Sequence, residues 1–318
     1  MVSARASVAL LALVLAAACG PLSGAGGRGP LEAGGRLAPG GWILDRGAFS
    51  PDGRRVAFVG VDPDGNQRAG VAADGGSVEA VTPEDWTVVD FAWMPGSESL
   101  LVVRHGERGD TLAIVGVDGE VVRMVDVDRP FGAGRGMVVS PDGDYAIVSM
   151  QEPVALERPA DLVRLDLATG ATTNLTRTPR LTEDYPSWAG RDRLVFTSGH
   201  LVVDVLEPNG AVEVVDLDGG DRRRLTPRDH VAGAATASPD GSTVVYSAFV
   251  GGDRRTQALW AVPTDGGEPR RVSAVSAHYP SYAPDGERVL VALVGGVGAD
   301  GGLGLVQVAR PDGTAARG

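Results

Sequence analysis

The chain contains no lysine. All 29 of its basic residues are arginine, set against 41 aspartates and glutamates, and the formal net charge is -12 over 318 residues. So acidic a shell excludes nucleic acid as a partner, because phosphate neutralisation needs a basic footprint. There is one cysteine, Cys19, so no intrachain disulfide can form. Aromatic residues make up only 5%. No two of the four histidines, His105, His200, His230 and His278, stand at His-x-x-His or His-Glu-x-x-His spacing, which argues against a zinc site. No Gly-x-Ser-x-Gly nucleophile elbow and no phosphate-cradling loop occurs, so nothing in the sequence calls for an enzyme or a cofactor.

Long apolar runs are also missing. Val8–Ala18 spans 11 residues, short of the ~20 needed to cross a bilayer. With Arg5 ahead of it and small residues after it, residues 1–18 read as a secretory signal peptide. Ala16-Ala17-Ala18-Cys19-Gly20 resembles the lipobox of bacterial lipoproteins, which implies acylation of Cys19; the alternative is ordinary cleavage at an Ala-x-Ala site. Residues 19–41, rich in Gly and Pro, read as a flexible tether. The expected location is extracytoplasmic, either anchored to the outer face of the cell membrane through Cys19 or secreted.

What the chain does have is repetition. Ser-Pro-Asp-Gly occurs at Ser50–Gly53, Ser140–Gly143 and Ser238–Gly241, with blurred copies at Met94-Pro95-Gly96, Ala189-Gly190 and Ala283–Gly286. The steps are 44, 46, 48, 50 and 45 residues. Proline presets the first turn position, and Asp and Gly fit the next two. Apolar runs such as Arg55–Val61 follow the turns, as expected of strands covered on both faces. A second turn recurs in each unit, at Asp74-Gly75-Gly76, Asp118-Gly119-Glu120, Ala168-Thr169-Gly170, Asp218-Gly219-Gly220, Asp265-Gly266-Gly267 and Pro311-Asp312-Gly313. A period near 45 residues made of short strands predicts an all-β propeller of six four-stranded antiparallel blades over residues 42–318.

Phe49-Ser50-Pro51-Asp52-Gly53-Arg54-Arg55-Val56-Ala57-Phe58, followed by Asp-Gly-Gly and an apolar-Thr pair, resembles the repeat of the TolB-like β-propeller family, and the resemblance covers about residues 42–313. Such blades also form the gates of prolyl-oligopeptidase-like peptidases, whose hydrolase elbow is missing here. The last unit leaves only Thr314–Gly318 for its outer strand, so closure of the ring by Leu31–Leu37 is expected instead.

In a propeller the outer-to-inner connections gather at one channel mouth. Here they carry the polar and aromatic residues: Asp45 and Arg46, Asp85 and Trp86, Arg129 and Phe131, Asp184 and Tyr185, Asp229 and His230, and His278 and Tyr279. Loops on a rigid scaffold concentrate function, and aromatics beside arginines are common interface anchors. The expected role is therefore a monomeric, non-enzymatic binding or scaffold module for an envelope protein or peptide, touching the membrane through its lipid alone. The alternatives are a small-molecule- or glycan-binding enzyme or enzyme accessory at the same mouth, and a structural cell-wall protein.

Overall fold

The computed structural model of the chain describes residues 42–73, 78–151, 159–200, 210–251, 253–273, 277–293 and 302–307. Its strands form antiparallel meanders in chain order. The first blade contains β1 (Ile43–Phe49), β2 (Arg55–Val61), β3 (Gln67–Ala73) and β4 (Val78–Ala80). The second contains β5 (Val88–Trp93), β6 (Ser99–Arg104), β7 (Thr111–Gly116) and β8 (Val121–Val125). The third contains β9 (Gly132–Val139), β10 (Tyr145–Gln151), β11 (Asp161–Asp166) and β12 (Thr172–Asn174). The fourth contains β13 (Leu181–Trp188), β14 (Arg193–His200), β15 (Ala211–Asp216) and β16 (Arg223–Arg224). The fifth contains β17 (His230–Ala237), β18 (Thr243–Val250), β19 (Asp253–Pro263) and β20 (Arg270–Ser273). The last sheet has three strands among the described residues, β21 (Ala277–Tyr282), β22 (Arg288–Leu293) and β23 (Gly302–Gln307). The result is five complete blades and a partial sixth, against six complete ones expected. Cys19, Leu31–Leu37 and Thr314–Gly318, on which acylation and ring closure depend, lie outside the described residues.

The repeated turn has one chemistry throughout. The Ser50, Ser140 and Ser238 hydroxyls donate to the carboxylates of Asp52, Asp142 and Asp240. The same hydroxyls accept from the backbone of Arg55, Tyr145 and Thr243, where the next strand starts. Glycine closes the turn at positive φ; Gly53 sits at +73°, and a Cβ there would lie 3.8 Å from the Pro284 ring of the last blade. Turn thus stacks on turn around the ring, from the sixth blade back to the first.

Apolar side chains form six layers, one between each pair of neighbouring blades. Val59 and Val71 pack against Trp93 and Leu100, and Leu101 and Val103 against Val139 and Val148. Ile147 and Leu162 meet Leu194 and Phe196, and Val195 and Val212 meet Val244 and Tyr246. Val245 and Leu259 face Val289 and Val291, while Leu290 and Ala292 close on Leu44 and Phe58. A blade has little interior of its own, so its burial depends on both neighbours.

Candidate functional site

Each innermost strand carries a bulge at the same height. The pairing register slips between Leu44 and Arg46, Val88 and Asp90, Asp184 and Ser187, Ala232 and Ala235, and His278 and Ser281, and on the strand facing β9 between Val148 and Met150. Bulges re-aim side chains and concentrate beside functional sites. Counting back four residues from Ser50, Met94, Ser140, Ala189, Ser238 and Ala283 gives Arg46, Asp90, Gly136, Tyr185, Ala234 and Tyr279. One residue further back stand Asp45, Val89, Arg135, Asp184, Gly233 and His278. These two tiers converge on the channel.

Arg46 of the first blade pairs with Asp90 of the second at 2.6 Å and donates to the Val89 carbonyl. Asp90 also accepts from the Gly136 and Phe91 backbone. Burial pushes the Asp90 carboxyl up, with Arg46 pulling the other way. Asp184 accepts from the Arg135 backbone and from Ser149, each at 2.8 Å; its carboxyl too is raised by burial. The Arg135 guanidinium lies 3.5 Å from the Tyr185 hydroxyl. The Tyr185 and Tyr279 rings meet with centroids 5.6 Å apart, although their blades are not neighbours. Blade five places only Gly233 and Ala234 at this height, which leaves room for the contact.

The two tyrosines are held under strain. Tyr185 has φ +55° and Tyr279 has φ +49°. At the equivalent bulge in the third blade stands Gly136, at φ +90°, where a Cβ would lie 2.7 Å from Tyr185 Cα. Left-handed backbone at a non-glycine residue costs on the order of 1–3 kcal/mol and clusters at binding and catalytic sites.

Behind the bulges the ring is electrically lopsided. Nine residues after the turn position stand Ser149, Ser198 and Ser247 in blades three to five, but Val59, Val103 and Ala292 in the other three. Ser149 reaches Asp184, Ser198 reaches Glu213, and Ser247 accepts from Gln257. Half the ring therefore has a polar lining.

The sequence matches no protein-family model and no curated protein. Solved structures do match. TolB from Acinetobacter baumannii superposes with a TM-score of 0.58 at 17% identity, over 86% of this chain and 61% of that one. The fold is that of a TolB-like β-propeller. The same fold likeness extends to enzymes. An oligogalacturonate lyase from Vibrio parahaemolyticus gives 0.52 at 13% identity, over 90% of this chain and 93% of that one. Prolyl oligopeptidase B from Galerina marginata gives 0.55 at 14%, over 86% and 41%.

The TolB-like propeller sorts the residues singled out from sequence into two heights. Asp45, Arg46, Asp184, Tyr185, His278 and Tyr279 share the bulge tiers. Trp86, Phe131 and His230 stand farther back along the chain and are buried. Trp86 belongs to the layer between the first two blades, with Arg104 stacked 5.2 Å over its ring. Phe131 belongs to the layer between the second and third. His230 bonds the Tyr246 hydroxyl at 2.8 Å and packs edge-on against Trp260. Trp86 and Phe131 thus pack between blades, and His230 packs within the fifth blade. Their partners Asp85, Arg129 and Asp229 are exposed in loops. His230 precedes Ser238 by eight residues and His278 precedes Ala283 by five, so the two histidines are not brought together. Burial lowers the pKa of both, keeping the rings neutral at pH 7.

Asp90 and Arg135 do not stand out in the sequence, because they lie on strands and not in the polar, aromatic connections. Aligning the six units on their turns and counting back would have found both. No cluster of three or more His, Cys, Asp or Glu able to hold a metal occurs among the described residues. The Asp62 loop is held by turn chemistry: Asp62 accepts from the Asp64 and Asn66 backbone and leans towards Arg68.

Proposed function

We propose that this chain is a non-enzymatic binding or scaffold module of the cell envelope, tethered outside the cytoplasm through Cys19, and that it captures an envelope protein or peptide at the channel mouth. The observation that carries the proposal is the pair of strained tyrosines, Tyr185 and Tyr279, held ring to ring across the channel between Arg135 and Arg46. Tyrosine and arginine on a rigid frame supply contact area at little cost in entropy. The catalytic alternative has fold likeness to enzymes in its favour, but no nucleophile elbow stands in the sequence and no catalytic group can be assigned at the mouth.

Capture from detergent-solubilised membranes, read by mass spectrometry, tests the proposal. Tyr185→Gly with Tyr279→Gly removes both rings while fitting the left-handed backbone, and Trp86 stays untouched because it is core. The double variant is expected to lose the captured partner and keep its melting temperature. Capture equal to that of the unaltered chain would refute the mouth as the binding surface.

A second reading draws on a cleft of about 570 Å³ between the outer strands of blades three and four, lined by Arg164, Asn174, Leu175, Arg177, Leu217 and Asp218. Its volume suits a small ligand. It lies away from the channel tyrosines, so the double variant separates the two: a small molecule held in the cleft would survive it.

A further inference from the structure

We propose that the mouth recognises its partner through a carboxylate, received by the Arg135 guanidinium between the hydroxyls of Tyr185 and Tyr279. This step rests on the mouth being the binding surface and adds the chemical group it selects.

Unused donors and acceptors point the same way. Of the carboxylates around the channel, Asp90 is occupied by Arg46 and by two backbone N–H groups. Asp184 is occupied by the Arg135 backbone and the Ser149 hydroxyl. Arg46 is turned inward, onto Asp90 and the Val89 carbonyl. Arg135 is not. Its side chain is exposed, and it makes no ion pair among the described residues. Its one side-chain hydrogen bond there is to the Tyr185 hydroxyl, at the long distance of 3.5 Å. The Tyr279 hydroxyl makes no hydrogen bond among the described residues. Burial holds the Tyr185 phenol far from ionisation, so it remains a donor. One guanidinium and two phenols thus face the mouth with hydrogens to give, and the two buried carboxylates beside them, Asp90 and Asp184, are already engaged.

Charge selects the group. A guanidinium fork matches a planar carboxylate or a phosphate. Asp45 stands exposed at the same tier, Asp90 and Asp184 lie beneath it, and the whole chain carries -12. That field repels a dianion more than a monoanion. Two aromatic faces flanking the fork suit a carboxylate presented by an extended peptide. The group can come from a chain terminus or from a Glu or Asp side chain, and the chemistry is the same.

The test uses the chain from Gly20 onward. Acetate and acetamide are titrated against it, with the tyrosine ring resonances as the readout. Three hexapeptides without other acidic groups follow: one with a free C-terminal acid, one amidated, and one amidated with a central glutamate. Acetate is expected to shift the ring signals of Tyr185 and Tyr279, and acetamide to leave them unmoved. The free-acid peptide, the glutamate peptide, or both are expected to bind at least tenfold more tightly than the amide, and which one does so identifies the source. Arg135→Gln is expected to abolish that preference, and Arg135→Lys to restore part of it. Equal responses to acetate and acetamide, no preference for either carboxylate peptide, or unchanged preference in Arg135→Gln would each overturn the proposal. Partner capture lost in the tyrosine double variant but intact in Arg135→Gln would also overturn it while leaving the mouth as the binding surface. Capture that ignores the tyrosines would instead remove the broader proposal.

Discussion

At the scale of single residues, the same types serve two purposes a few positions apart. Tyr185 and Tyr279 carry backbone strain to meet in the channel, while Trp86 and Phe131 pack between blades and His230 packs within the fifth. Mutation should separate the two groups. Trp86→Ala is expected to cost about 3 kcal/mol, read as a drop in the urea midpoint, because it opens a hole in the layer between the first two blades. Arg46→Ala should be comparably damaging. Its partner Asp90 is 4% exposed in its side chain, and a buried carboxylate left without its cation costs about 3 kcal/mol. Arg46→Ala with Asp90→Asn should recover part of that loss, and failure to do so would mean that the pair is not coupled.

At the scale of elements, β13 is the most heavily loaded strand. Neighbouring residues on it face opposite ways: Asp184 towards Arg135 and the channel, and Glu183 into the seam between blades three and four. Glu183 is fully buried and accepts from the Thr176 and Thr178 hydroxyls and from Arg222, which also holds Glu213. Burial outweighs the hydroxyls and the Arg222 charge and raises the Glu183 carboxyl to about 7. The folded state therefore holds a proton that the unfolded chain has already released above the usual carboxylate range. Stability due to Glu183 is fully present at low pH and is lost as the pH rises towards 7. Denaturant midpoints measured from pH 4.5 to 8 are expected to fall over this window, and Glu183→Gln should flatten the slope. A variant with the parent's slope would place the titration elsewhere, in Asp90 or Asp184. The short outermost strands, from two to five residues in blades one to five, are consistent with protection of exposed sheet edges.

At the scale of the whole molecule, six apolar layers and a ring of stacked turns join the last blade to the first. Such a frame can hold loops and bulges rigid, which favours recognition of a partner without rearrangement. If the envelope assignment holds, growth with a fatty-acid analogue should label the protein, and Cys19→Ala should remove the label; an unlabelled parent chain would leave secretion as the route. The repeat, the turns and the four-stranded meander were all legible in the sequence, because Ser-Pro-Asp-Gly and unbroken apolar strands act locally, through bonds spanning a few residues. Asp90 and Arg135 could not be recognised from their immediate surroundings, because they acquire meaning only beside Arg46, Asp184 and Tyr185, 44 to 50 positions away. Trp86 and Phe131 had the composition of binding anchors, and only the packing of one blade on the next placed them in the core. The sequence by itself determined the blade, since each turn and strand encodes its own geometry. Only the tertiary structure decided which side chains share the channel, because bulges re-aim them and closure of the ring brings distant blades to one axis.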